Sequence, residues 1–137
     1  MKGREMIKGI GHLGLFVKDI ESTVTALAKI VDIEPPEVKE FPDAGLRCAV
    51  VDLNGIGLEM IQDAGPDGPL AQMLQEKGDM IHHFCLLSDS IEADVEKLKE
   101  RGVPMADQEP RVGLRGRKIA LSTPEALNGI TIELSEP

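Results

Sequence analysis

The chain has no tryptophan and no tyrosine, and its three phenylalanines are Phe16, Phe41 and Phe84. Stacking platforms for nucleobases are therefore scarce, and 15 basic residues against 24 acidic ones give a net charge of −9 that repels phosphates at long range. Nucleic acid is not the partner this composition suits. Cysteine is equally rare: Cys48 and Cys85 lie far apart, each inside an apolar run, too few for a secreted disulfide framework, and they read as small core residues. Long apolar stretches are missing too. Runs such as Ala49 to Val51 are too short to span a bilayer, and Met1 to Glu5 lead into a strand-like segment instead of a signal-peptide core. A cytoplasmic protein with no membrane partner is expected.

What is present suits a packed fold. With 137 residues, 42% hydrophobic and 28% charged, the composition is that of one globular domain. About two-thirds of the extended chain's surface can be buried at this size.

The chain repeats itself. His12-Leu-Gly-Leu-Phe-Val-Lys-Asp-Ile-Glu-Ser returns 71 residues later as His83-Phe-Cys-Leu-Leu-Ser-Asp-Ser-Ile-Glu-Ala, and Asn54-Gly-Ile-Gly-Leu-Glu-Met returns 74 residues later as Asn128-Gly-Ile-Thr-Ile-Glu-Leu. Each half thus opens on a His-led segment and closes on an Asn-Gly turn feeding a Glu-bearing one. A duplication explains both matches.

Within each half the periodicities predict strand, helix, then three strands. Ile10 to Val17 reads as a strand, and Asp19 or Ser22 caps a helix through Ile30 with apolar positions Ile20, Val24, Leu27, Ala28 and Val31. Pro35 and Pro36 forbid its continuation, and strands follow at Val38 to Phe41, Leu46 to Leu53 and Leu58 to Gln62, the last two joined by Asn54-Gly55. The second half gives a strand over Ile81 to Leu87 and a Ser90-capped helix to Arg101. Strands are then expected at Val103 to Ala106, Lys118 to Leu121 and Ile130 to Leu134. The expected architecture is α+β: two tandem βαβββ modules, about 7–64 and 80–135, joined by a linker helix at about 69–78. Together they would form one domain, a cupped eight-stranded mixed sheet with the helices on its outer face.

A strand's period of two then sorts its side chains. In Ile130-Thr-Ile-Glu-Leu134 the apolar residues Ile130, Ile132 and Leu134 take the helix-packed face, leaving Thr131 and Glu133 on the other. Likewise His12, Gly14 and Phe16 share a face. Of the adjacent His82 and His83, only His83 aligns with His12, so His83 points inward and His82 to the surface or a supporting position. On one concave face His12, Glu59, His83 and Glu133 would occupy repeat-related places. Two imidazoles and two carboxylates suit one divalent transition ion, with positions left for two oxygens of water or substrate. Separately, Arg111, Arg115, Arg117 and Lys118 cluster without an intervening acid, a local +4 able to hold a carboxylate or phosphates.

The paired modules, the His-led strands and the terminal Ile-Glu-Leu resemble the vicinal-oxygen-chelate superfamily over nearly the whole chain. Gly68-Pro-Leu-Ala-Gln-Met-Leu-Gln-Glu-Lys-Gly-Asp-Met-Ile-His-His83 and Glu109-Pro-Arg-Val-Gly-Leu-Arg-Gly-Arg-Lys-Ile-Ala120 are similar to its methylmalonyl-CoA epimerase branch in particular. The resemblance implies metal ligation by His12, Glu59, His83 and Glu133 with Co, Mn, Ni or Zn, and an acyl-CoA thioester substrate. It also implies a homodimer and 1,1-proton transfer through an enolate. Glu133 would serve as one base as well as a ligand, and the acid of the family's Pro-Glu-x-Gly loop falls on Asp43 in Pro42-Asp-Ala-Gly45, one methylene shorter. The segment Ser122-Thr-Pro-Glu125 replaces the family's His-Pro-Lys.

Three other readings compete. A glyoxalase I-like isomerase would use the same four ligands, so only the two epimerase-like stretches separate the two. An extradiol dioxygenase needs two His and one carboxylate and leaves Glu59 unexplained. A metal-free binding protein of the antibiotic-sequestering kind has no use for the four ligands together, and three phenylalanines supply few aromatic walls.

Overall fold

The computed structural model describes residues 7–137, so Met1 to Glu5 lie outside the described residues. The elements run β1 (Ile7–Phe16), α1 (Ile20–Ala28), β2 (Lys39–Phe41), β3 (Leu46–Leu53), β4 (Ile56–Asp63), α2 (Ala71–Lys77) and β5 (Met80–Ser88). They continue as α3 (Ile91–Glu100), β6 (Arg111–Val112), β7 (Lys118–Leu121) and β8 (Thr131–Ser135). Strand, helix and three strands occur twice with α2 between them, the expected order. The eight strands follow the sequence β2-β3-β4-β1-β5-β8-β7-β6. β5 and β8 pair in parallel while β2–β3, β3–β4, β6–β7 and β7–β8 are antiparallel, which makes the sheet mixed. Among the described residues no helix is long and apolar enough to cross a membrane.

Two compact units emerge, one of Leu13–His82 and one of residues 7–12 with His83–Pro137. The divisions fall inside β1 and β5, so His12 belongs with His83 and everything after it.

In the Leu13–His82 unit, Asp19 starts α1 by accepting from the Ser22 amide at 3.2 Å. The helix stops two residues short of the expected Ile30, because the Lys29 and Ile30 amides turn to the carbonyls of Ala26 and Leu27 three residues back. Ile30 and Val31 are consequently exposed and not part of the core. Ile20, Val24 and Leu27 of α1 pack on Leu15, Val17, Ala49, Val51 and Met60. Alternation turns Cys48, Val50, Glu59 and Ile61 to the opposite face, where Phe16, Leu70 and Leu74 close a second apolar cluster around Cys48 and Ile61. The β3–β4 hairpin turns on Asn54 (φ 54°) and Gly55 (φ 99°), the two positive φ angles a two-residue type I′ turn requires. Arg47 ties α1 to the sheet, holding Glu21 at 2.8 Å and Glu40 at 2.9 Å.

In the other unit, Ile91 and Val95 of α3 pack on Met105, Ala120 and Leu134. Leu134 faces the helix as expected, and Glu133 faces away from it. Three expectations need correction. Val103 to Ala106 is not a strand: Pro104 has no N–H to donate, the Ala106 and Asp107 amides converge on the single carbonyl of Leu121, and Met105 alone makes an isolated bridge to Ser122. The strand beside β7 is instead Arg111–Val112, at the sheet edge. Ile130 is not core either, being the last residue of the Leu127–Ile130 turn and 41% exposed. Finally, Ser90 occupies the cap position of α3 without a side-chain bond; Ser88 accepts from the Ser90 amide at 3.2 Å and donates to the buried Asp94 carboxylate.

Candidate metal centre

Glu133 lies on β8 directly beside Cys85 of β5, and His83 lies beside Thr131. The parallel register and the period of two therefore bring His83, Cys85, Thr131 and Glu133 to the face that α3 does not cover. His12 joins them from β1. All five residues are buried, with His12, His83 and Glu133 only 5–7% exposed.

The geometry converges on one oxygen. His12 Nε2 is 3.0 Å and His83 Nε2 3.1 Å from Glu133 Oε1, and the two rings meet edge to face at 5.5 Å between centroids. Burial by itself pushes the Glu133 carboxyl up, but hydrogen bonds and charge from His12 and His83 outweigh it and hold the group down at about 2. Ligand atoms at about 2.1 Å from a common ion and at right angles lie roughly 3 Å apart. The two N···O separations are of that order, and two imidazoles with a carboxylate are donors that suit a divalent ion. A guanidinium nitrogen of Arg115, on the turn between β6 and β7, approaches His12 Nδ1 at 3.5 Å.

Other expected site residues are placed as follows. Glu59 is a buried carboxylate on β4, opposite Val50 in the register and facing away from α1, as Glu133 faces away from α3. The Cys48 thiol donates to it at 3.5 Å. Asp43 is exposed in the Pro42–Gly45 turn between β2 and β3, a turn closed by amides of Ala44 and Gly45 on the carbonyls of Phe41 and Pro42. His82 is half-buried and stacks on Phe16 at 4.1 Å, apart from the His83 cluster as the strand phase requires. Of the four basic residues, Arg111 pairs with Asp107 at 2.9 Å and Lys118 with Glu92 at 2.6 Å, while Arg115 and Arg117 stand exposed on the connecting turn.

Both cysteines are buried as expected, and what sequence reasoning missed is the carboxylate beside each. Cys48 does sit in an apolar cluster but also touches Glu59, and Cys85 sits beside Glu133 among the site's polar groups. The signal for Cys85 was its position two residues past His83, hence on the same side of the strand.

Residues 11–121 match the family model described as the Glyoxalase/Bleomycin resistance protein/Dioxygenase superfamily. The chain is 27% identical over 128 residues to the mitochondrial methylmalonyl-CoA epimerase of Homo sapiens, covering 93% of this chain and 73% of that protein. It is 26% identical over 133 residues to the ethylmalonyl-CoA/methylmalonyl-CoA epimerase of Cereibacter sphaeroides, covering 96% and 99% respectively. Its fold matches that of a Streptomyces coelicolor methylmalonyl-CoA epimerase solved in complex with 2-nitronate-propionyl-CoA. There the TM-score is 0.83 at 23% identity, over 95% of this chain and 94% of that one. With a family model spanning most of its length and the family's strand and helix order realised in its fold, the chain belongs to the glyoxalase/bleomycin resistance/dioxygenase superfamily.

Proposed function

We propose that the protein is a metal-dependent isomerase that epimerises (R)- and (S)-methylmalonyl-CoA by moving the proton α to the thioester. The observation that carries this reading is the buried convergence of His12 Nε2 and His83 Nε2 on Glu133 Oε1. The similarity, over most of this chain, to proteins named as methylmalonyl-CoA or ethylmalonyl-CoA/methylmalonyl-CoA epimerases supports the choice of substrate.

His12, His83 and Glu133 hold the ion, with Glu59 as a fourth ligand on the strength of its burial and its repeat relation to Glu133. Co, Mn, Ni and Zn all suit such a set. A divalent ion bound there supplies positive charge against the negative charge that builds as the α carbon loses its proton. Inversion needs a proton removed from one face and returned to the other. Glu133, kept ionised by its imidazole partners, is assigned to one face, and Asp43 to the other. Arg111, Arg115, Arg117 and Lys118 bind the anionic substrate and take no part in the chemistry, since arginine and lysine stay protonated near neutral pH.

The test is incubation of one stereoisomer of methylmalonyl-CoA with the Co²⁺- or Mn²⁺-loaded protein in D₂O. Deuterium should appear at the α carbon as stereochemical purity is lost, and chelator or His83→Ala should stop both. A loaded protein that leaves the thioester untouched while isomerising a glutathione hemithioacetal would transfer the assignment to a glyoxalase I-like reaction. Asp43→Asn should keep its metal and lose epimerisation by roughly 10²-fold or more, as expected on removing a general base. Wild-type epimerisation in that variant removes Asp43 from the mechanism.

A further inference from the structure

Cys85 is fully buried, yet among the described residues it is the one buried apolar residue that belongs to none of the three apolar clusters. Its neighbours explain this. The sheet register sets it directly beside Glu133, and its ligand atom, one of His12 and one of Glu133 all lie within 4.8 Å of one another. A thiol placed there is a donor at the centre's edge and not core filling.

We infer that Cys85 gives this centre a second, softer donor set, so that a thiophilic divalent ion such as Zn²⁺ or Cd²⁺ binds through His12, Cys85 and Glu133. Bonds of about 2.0–2.3 Å to one ion bring such atoms together from separations of this order. On binding, the thiol gives its proton to solvent and the sulfur enters as thiolate. Thiolate and carboxylate together then balance the ion's two positive charges, with neutral imidazole completing the set. Hard ions such as Mn²⁺ have small affinity for sulfur and rely on the nitrogens and carboxylates alone. The centre would therefore sort ions by softness, a property independent of which reaction it serves.

The test adds Co²⁺ alone to the full chain. The wild type should develop a thiolate-to-Co²⁺ charge-transfer band in the near ultraviolet that saturates near one equivalent. Cys85→Ser should lose the band while still binding Co²⁺, and Cys48→Ser should keep it. Zn²⁺ affinity should fall on the order of 10-fold or more in Cys85→Ser, with Mn²⁺ affinity changed by less than about 3-fold. No band in the wild type, a band that survives Cys85→Ser, or one that vanishes in Cys48→Ser overturns the inference. Because the chain has only two cysteines, the Cys48→Ser protein decides the matter alone if Cys85→Ser fails to fold.

Discussion

One residue step along β5 separates a proposed metal ligand from a stacking partner. His83 points at Glu133 and His82 at Phe16, so His83→Ala should abolish tight binding of Mn²⁺ while His82→Ala leaves it nearly intact, as isothermal titration would show. Loss in His82→Ala alone would mean the strand phase is wrong. Glu133 has a consequence for acid stability as well. Its folded-state value of about 2 lies below the ordinary 4.5, so the stability it contributes is present above about pH 4.5 and is lost as pH falls toward 2. Unfolding midpoints of the metal-free protein should drop across that interval, and Glu133→Gln should flatten the drop. The burial of His12, Glu59, His83 and Glu133 on the sheet faces turned from the helices was legible in the sequence because the duplication tied their positions together. The carboxylate beside Cys85 was not, since a cysteine inside an apolar run looks the same whether its strand face meets a helix or a cluster of polar groups.

At the scale of the elements, the face that binds depends on the face that packs. Leu134 against α3 fixes the phase of β8 and with it the direction of Glu133; Met60 against α1 does the same for Glu59. The start of α3 rests on the Ser88–Asp94 bond, with both side chains buried. Ser88→Ala leaves the Asp94 carboxylate buried without that donor and should destabilise the fold by about 1–3 kcal/mol, read from urea unfolding. An unchanged midpoint would show that Asp94 finds another donor. The long elements were readable from periodicity and turn chemistry, since Leu46–Leu53, Lys118–Leu121 and both Asn-Gly turns depend on local signals. Arg111–Val112 was not. Two exposed residues at a sheet edge carry no hydrophobic period, and only their pairing with β7 makes them a strand.

For the molecule as a whole, a net charge of −9 sets a problem for any anionic substrate, because the field at long range repels it. At physiological salt the Debye length is about 8 Å, so distant acids are screened and charges beside the site decide affinity. Within the basic run those charges are not equivalent. Arg111 and Lys118 already face Asp107 and Glu92, whereas Arg115 and Arg117 stand on the turn, and Arg115 reaches to 3.5 Å from His12. Removing Arg115 and Arg117 together should raise KM for a CoA thioester by roughly 10-fold or more, the loss expected for a charge-assisted hydrogen bond of about 1.5–3 kcal/mol. kcat should change little, and the ratio of variant to wild-type KM should shrink as salt is added. Replacing Arg111 and Lys118 should cost less, because Asp107 and Glu92 already neutralise part of their charge and leave them less to give to the substrate. Steady-state kinetics at two ionic strengths distinguishes the cases. Equal losses in both double variants would mean that the turn acts only through its summed charge, and that the approach of Arg115 to His12 has no part in holding substrate.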